Sequence, residues 1–236
     1  MIEISELTKN YSNKKALDQV STVFEQGKIY GVLGSNGAGK TTLMRIITNR
    51  VFPTSGQVRI AGQNATENEE AQKLIFCVTE RDKYPKDLNA EDLFRWVGRF
   101  YSDFDIPYAR KLAERFDFDT KKRVKTLSTG YYTIFKVIMS LASNAPIMIL
   151  DEPVLGIDSL YREIFYDVLL EHHKEKKTLV LISTHLIAEV ERVLDEVVII
   201  HQGKIITHGK KAAMTKNGER LNDVYIRILK EARDEE

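Results

Sequence analysis

Gly34-Ser35-Asn36-Gly37-Ala38-Gly39-Lys40-Thr41-Thr42 follows the apolar run Ile29-Tyr30-Gly31-Val32-Leu33 and precedes Leu43-Met44-Arg45-Ile46-Ile47. A short strand, a glycine-rich turn and a helical pattern, in that order, are the setting a phosphate-binding loop requires. Gly34, Gly37 and Gly39 allow positive φ and a close approach of backbone to ligand. Successive amide N–H groups then point inward as an anion nest. The helix expected from about Lys40 adds the positive end of its dipole. Lys40 reaches phosphate oxygens as a point charge, and the Thr41 hydroxyl is a ligand for magnesium.

A second carboxylate-bearing strand lies far downstream. Ile147-Met148-Ile149-Leu150 is continuously apolar, as in a parallel sheet covered on both faces, and it runs into Asp151-Glu152-Pro153. Adjacent carboxylates at the end of a buried strand are costly unless they face a metal or a site. Ligands of open α/β sheets bind at such strand ends. Asp151 suits the magnesium-holding acid, and Glu152 is left to orient and deprotonate a water. Leu179-Val180-Leu181-Ile182 is another buried strand, which places His185 at the same sheet edge.

Other segments set the organisation. Residues 1–26 alternate apolar and polar and read as an antiparallel β layer, turned at Ser12-Asn13-Lys14-Lys15. Tyr11, before that turn, is either a strand side chain or an exposed ring for a base. Pro53 and Gly56 end the first helix. Residues 83–126 change to helical spacing, with Asn89 as a cap and Leu93, Phe94, Val97, Phe100 and Tyr101 recurring. Phe94, Trp96 and Tyr101 are either core or a groove for a partner. Leu127-Ser128-Thr129-Gly130 opens a further helix, as a capping turn or a second anion site. His172 and His173 fall in a charged stretch and read as solvated; His201 and His208 flank a hairpin.

The 236 residues suit one large domain or one with an inserted lobe. Lys and Arg total 35 against 34 Asp and Glu, so no global field favours nucleic acid. Cys77 is the single cysteine, which excludes an internal disulfide framework. The first residues lack the pattern of a signal peptide. No run reaches the roughly 18 apolar residues of a membrane span. The chain is expected to be soluble by itself, with any membrane role supplied by a partner.

Taken in order, Tyr11, the loop at 34–42, Glu80, the turn at 127–130, Asp151 with Glu152, residues 156–158 and His185 resemble the nucleotide-binding domain of ATP-binding cassette (ABC) transporters. The turn at 127–130, followed closely by the strand ending at Asp151, separates this family from GTPases and kinases. The resemblance implies an α/β fold: a P-loop NTPase with a RecA-like mixed sheet core, an N-terminal antiparallel β layer and an inserted α-helical subdomain. The catalytic lobe would cover about 1–82 and 147–236, and the helical lobe about 83–146.

The resemblance also implies roles. ATP would be held by Tyr11 and by Gly34, Ser35, Asn36, Gly37, Ala38, Gly39, Lys40, Thr41 and Thr42. Magnesium would be held by Thr41, Glu80 and Asp151. Glu152 would be the general base, with His185 on the γ-phosphate and attacking water. Ser128 and Gly130 would serve the nucleotide of a second ATPase subunit, identical or not, and Asp158 would help link the two. Integral membrane subunits are the implied partners, at the inner face of the cell membrane, with no nucleic acid. Three positions depart from the family pattern: Thr129 replaces a glycine, Tyr131 a glutamine and Glu80 a glutamine. Glu80 resembles cassettes of small exporters with separate membrane subunits, which carry peptides, antibiotics or lipids. A regulatory mechanotransmitter is the alternative. A soluble cassette acting on ribosomes or DNA fits less well, given one phosphate loop, no heptad tract and no basic patch.

Overall fold

The structure is a computed structural model, and it describes residues 1–79 and 83–234. The chain divides into two compact units, Met1–Gln72 with Leu179–Glu236, and Lys73–Thr178.

In the first unit, β1 (Ile2–Tyr11) and β2 (Lys14–Phe24) pair antiparallel, with Tyr11 opposite Lys14 across the turn. Alternation drives this layer: Ile2, Ile4, Val20 and Phe24 are buried while their neighbours are half-buried or exposed. The strand β3 (Ile29–Leu33) is buried at all five positions and leads through the loop into the helix α1 (Lys40–Ile47). Then β4 (Ser55–Ile60) pairs antiparallel with β1, and β5 (Gln63–Asn64) pairs with β4. The antiparallel sheet therefore runs β2-β1-β4-β5. A short helix, α2 (Glu69–Lys73), closes this half.

The second unit begins at β6 (Ile75–Val78). Two capped helices follow. Asn89 accepts from the Asp92 amide at the start of α3 (Ala90–Val97), and Asp105 accepts from the Tyr108 amide at the start of α4 (Ile106–Arg115). The helix α5 (Thr129–Ala142) buries every residue from Thr133 to Ala142. It precedes β7 (Ile147–Asp151), which is parallel to β6 with Val78 beside Leu150. The unit ends with α6 (Ser159–Lys176), capped by Asp158.

The chain then returns to the first unit. There β8 (Leu179–Ser183) is parallel to β3, and the short helix α7 (Ile187–Val190) leads on to β9 (Glu196–His201), parallel to β3 on its other side. A hairpin turns into β10 (Lys204–Lys210), antiparallel to β9, and the helices α8 (Lys211–Met214) and α9 (Leu221–Asp234) finish the fold. The apolar runs at β3, β7, β8 and β9 are each buried along their whole length, as two-sided burial predicts. Among the described residues, no helix is long and apolar enough to cross a membrane.

Two histidines differ from the reading above. His172 and His173 are 3% and 9% exposed, not solvated. A charged sequence neighbourhood misleads here because α6 turns one face inward: Phe165, Val168, Leu169, His172 and His173 share the buried side, with charges on the other. The Tyr108 ring stacks on His172 at 6.1 Å. Burial then pulls the His172 imidazole down from its ordinary 6.5 to about 4, with Lys176 adding to the effect.

Candidate functional site

In the first unit the phosphate loop is held by its own backbone and by the β9–β10 hairpin. The Ala38 amide donates to the Ser35 carbonyl at 3.1 Å, and the Gly203 amide donates to the Ala38 carbonyl at 2.9 Å. Gly39 has φ +120, and a Cβ there would lie 2.7 Å from the Ala16 carbonyl oxygen, so any other residue would be strained and would clash. Gly34 serves by close approach, not by positive φ: a Cβ would meet the Ile200 oxygen at 2.4 Å. The Lys40 side chain is buried and folds back over the loop, its Nζ donating to the Gly34 carbonyl at 2.6 Å and the Ser35 carbonyl at 3.2 Å. Ser35, Asn36, Gly37 and Thr41 are exposed, while Thr42 is half-buried. The loop thus joins an exposed stretch of backbone at Ser35–Gly37 to a lysine ammonium held over it, the requirements for an anion.

Two further residues sit in register with that loop. Val32 pairs with Ser183, so β3 and β8 end together, and His185 follows β8 as Ser35 follows β3. His185 is exposed, and the Thr184 hydroxyl beside it accepts from the Leu186 amide at 3.0 Å. Tyr11 is 41% exposed at the tip of the β1–β2 hairpin, with the Lys9 ammonium 5.0 Å from its ring centre. That hairpin borders the loop, because Lys14 Nζ lies 3.4 Å from where a Gly37 Cβ would stand. Tyr11 is at once the last residue of β1 and an exposed ring.

The second unit carries the acids and the second turn. Asp151 is the last residue of β7 and is buried. Glu152 follows at φ +52, one of eleven described non-glycine residues in the left-handed region. Parallel pairing brings Val78 beside Leu150, so Thr79 follows β6 at the end where Asp151 closes β7. Glu80, next in the chain, lies outside the described residues.

The turn at 127–130 starts α5 as expected: the Ser128 hydroxyl accepts from the Tyr131 amide at 3.3 Å. Gly130 is required by packing, since a Cβ would stand 2.6 Å from the Gly156 carbonyl oxygen. Around this approach lies a cleft of about 390 Å³, lined by Ser128, Thr129, Tyr131, Gly156, Asp158 and Tyr161. A hydrogen bond with Tyr131 and burial push the Tyr161 hydroxyl up to about 12. Of the residues read as core or groove, Phe94 is core, while Trp96 is 42% exposed and packs edge-on against Phe100.

A family model described as ABC transporter matches residues 17–155. That span is more than half of the chain and includes the phosphate loop, the turn at 127–130, Asp151 and Glu152. The chain belongs to the ABC transporter family. It is 28% identical to the ABC transporter ATP-binding protein YtrB of Bacillus subtilis over 97% of this chain and 76% of that protein. It is 31% identical to the bacitracin transport ATP-binding protein BcrA of Bacillus licheniformis, over 87% of this chain and 68% of that protein. Among solved structures, the ATP-binding subunit of an ABC transporter superposes with a TM-score of 0.87 at 25% identity, covering 97% of this chain and 99% of the other. The dimeric post-hydrolysis state of the cassette MJ0796 bound to ADP and Pi superposes with a TM-score of 0.80 at 21% identity, over 89% of this chain and 99% of that one, a likeness of fold.

The ABC chain is thus an ATP-binding ATPase subunit with the mixed α/β fold expected of it. Its oxygen donors fit magnesium in kind. Among the described residues no three His, Cys, Asp or Glu side chains gather as a metal cage. Magnesium needs no such cage, since one or two protein oxygens plus phosphates and water satisfy it. The Thr41 hydroxyl and the Asp151 carboxylate are donors of that type. Two neighbours of the ABC turn were not singled out by the sequence reading: Tyr132 and the buried Lys136. The available signal was a lysine set into the apolar run Ile134, Phe135, Val137, Ile138.

Proposed function

We propose that this subunit binds and hydrolyses ATP to drive an exporter whose membrane subunits are separate chains. In the first unit, the loop amides and Lys40 hold the triphosphate, Tyr11 stacks on adenine and His185 contacts the γ-phosphate. Thr41, Asp151 and Glu80 supply oxygen ligands for magnesium, which neutralises charge on the phosphates. Glu152 accepts a proton from water as the water oxygen bonds to the γ-phosphorus and the bond to the β-phosphate oxygen breaks, leaving ADP and phosphate. Ser128 and Gly130 serve the nucleotide of a second subunit, and ATP draws two cassettes together head to tail, with Asp158 at the seam.

The observation that carries the hydrolytic reading is the pair at the end of β7. Asp151 is buried, and Glu152 is held in a left-handed backbone next to it. A carboxylate buried at the end of a parallel strand is costly unless it faces a metal or a site, and ligands of such sheets bind at strand ends. The exporter reading draws on the likeness to bacitracin transport proteins of Bacillus licheniformis and Enterococcus faecalis. An arabinose import protein also matches, but over 47% of its own length. The substrate class favoured is therefore an antibiotic, peptide or lipid, and the subunit works on the cytoplasmic face of the membrane. Purified Glu152→Gln protein should still bind ATP, dimerise with it and lose turnover by at least about a hundredfold. Undiminished hydrolysis by that variant would remove Glu152 from the role of base.

A further inference from the structure

A cation stands behind Tyr11. Lys9 and Tyr11 are at i and i+2 on β1, which puts both side chains on one face of the strand. The Lys9 ammonium lies over the Tyr11 ring, 5.0 Å from its centre, within reach of a cation–π attraction. The same ammonium donates to the Phe52 carbonyl at 2.8 Å. That carbonyl belongs to a segment that is itself tied down. The Thr54 amide donates to the Thr8 carbonyl at 2.8 Å, and the Asn10 amide donates to the Thr54 hydroxyl at 3.0 Å. Residues 52–54 are thus joined to residues 8–10 by three hydrogen bonds, of which Lys9 makes the charged one.

This arrangement makes the two faces of the ring unequal. Aromatic faces are negative, so a cation over one of them occupies it electrostatically. The ring remains 41% exposed, and stacking falls to the face opposite the ammonium. Withdrawal of π density toward the cation favours an electron-rich partner there, and a purine base is one. The location suits a nucleotide as well. Tyr11 pairs with Lys14 across the hairpin turn, and Lys14 Nζ lies 3.4 Å from where a Gly37 Cβ would stand in the phosphate loop. Ring and loop both belong to the first compact unit. Folding alone explains the held lysine less well. A lysine fixed at two contacts gives up rotamer freedom, and a cation–π pair near the surface returns little more than that.

We propose that Lys9 is a positioning residue for the base of the bound nucleotide. Anchored on the Phe52 carbonyl, it covers one face of the Tyr11 ring and leaves the other to stack on an electron-rich purine. This role of Lys9 rests on the one proposed above for Tyr11.

The test uses the whole chain and equilibrium binding without magnesium, so that turnover does not interfere. Two probes are compared: ATP, which has a base, and inorganic triphosphate, which has none. Tyr11→Ala should weaken ATP binding about tenfold or more, as loss of a base stack does. Lys9→Met should weaken it about three- to fivefold, while Lys9→Arg, which keeps a cation and a donor, should stay within about twofold of the unaltered protein. Neither Lys9→Met nor Tyr11→Ala should change the affinity for inorganic triphosphate, because the loop holds it without the ring. With Tyr11→Ala already in place, Lys9→Met should have no further effect on ATP, the mark of two residues acting as one. Unchanged ATP affinity in Lys9→Met overturns the proposal. So does an equal loss with ATP and inorganic triphosphate, since that marks a general charge or folding effect. A Lys9 effect that persists in full without the Tyr11 ring overturns it too. Should Lys9→Met fail to fold, Lys9→Gln decides in its place: it keeps a donor for the Phe52 carbonyl without the charge, and ATP binding as tight as in the unaltered protein would overturn the role of the cation. If Tyr11→Ala binds ATP undiminished, the stacking reading falls and the role of Lys9 with it. If Tyr11→Ala is weak and Lys9→Met is not, only the role of Lys9 has failed.

Discussion

The phosphate loop and the turn at 128–130 are both small-residue segments opening a helix, yet they are built in different ways. The loop is made locally. Gly39 takes φ +120, Ala38 closes onto Ser35, and Lys40 bends back onto the carbonyls of Gly34 and Ser35. The second turn has an ordinary cap, Ser128, and owes the rest to a distant stretch of chain, the Gly156 carbonyl pressed against Gly130. The loop takes its conformation within a dozen residues and is then braced by the β9–β10 hairpin, through the Gly203 amide on the Ala38 carbonyl. The turn becomes a cleft only after β7 and the start of α6 have packed beside α5. One site is set by backbone conformation and the other by tertiary approach, and they should fail differently.

The loop should fail most severely. Lys40→Ala removes a cation buried against the cradle and is expected to lower kcat/KM for ATP at least about a hundredfold, as loss of a preorganised charge partner does. A steady-state phosphate-release assay measures it; a drop of less than tenfold would mean that the amides suffice.

The second unit should show its tertiary origin in acid. His172 stays neutral when folded down to about pH 4 and takes a proton when unfolded below 6.5, so the unfolded state binds more protons between those values. Stability is full above 6.5 and falls as pH drops through that window, by up to about 3 kcal/mol. Urea unfolding at pH 7 and at pH 4.5 measures the fall, and His172→Phe should flatten it. An equal slope in that variant would assign the acid sensitivity to other groups.

Gly130→Ala comes next. Its new methyl would sit 2.6 Å from the Gly156 oxygen and must push the cleft open. Turnover should fall about thirtyfold while ATP affinity of the single subunit stays within about twofold, since transition-state and ground-state binding separate here. A parallel fall in affinity would show that the two sites are not distinct in this way. The smallest effect is expected of Thr129→Gly. Removing its branched side chain from the cleft rim should strengthen ATP-driven pairing of Glu152→Gln subunits about threefold, while glycine in the helix lowers folding stability by about 0.5–1 kcal/mol. Analytical ultracentrifugation with ATP reads it, and weaker pairing would mean that Thr129 aids the contact.

Much of this was legible in the residues. Spacing alone announced the loop, the buried strands ending at Asp151 and Ser183, and the caps Asn89 and Ser128, because strand burial and capping depend on near neighbours. The burial of the histidines at 172 and 173 is not legible in the sequence, since charge along the chain says little about which side of an eighteen-residue helix faces inward. Lys136 passed unnoticed for a related reason. A lysine inside an apolar run gives no hint of the carbonyl it will find.

Local chemistry, then, determined by itself the phosphate cradle, the acidic strand end and the family, because glycine backbones, caps and apolar runs act within a few residues. Only the folded chain decided that Gly130 meets Gly156, that His172 is buried, and that Lys136 holds Thr79. Those contacts join segments 26 to 57 residues apart in the two glycine and lysine cases, where packing rather than proximity in sequence sets who meets whom.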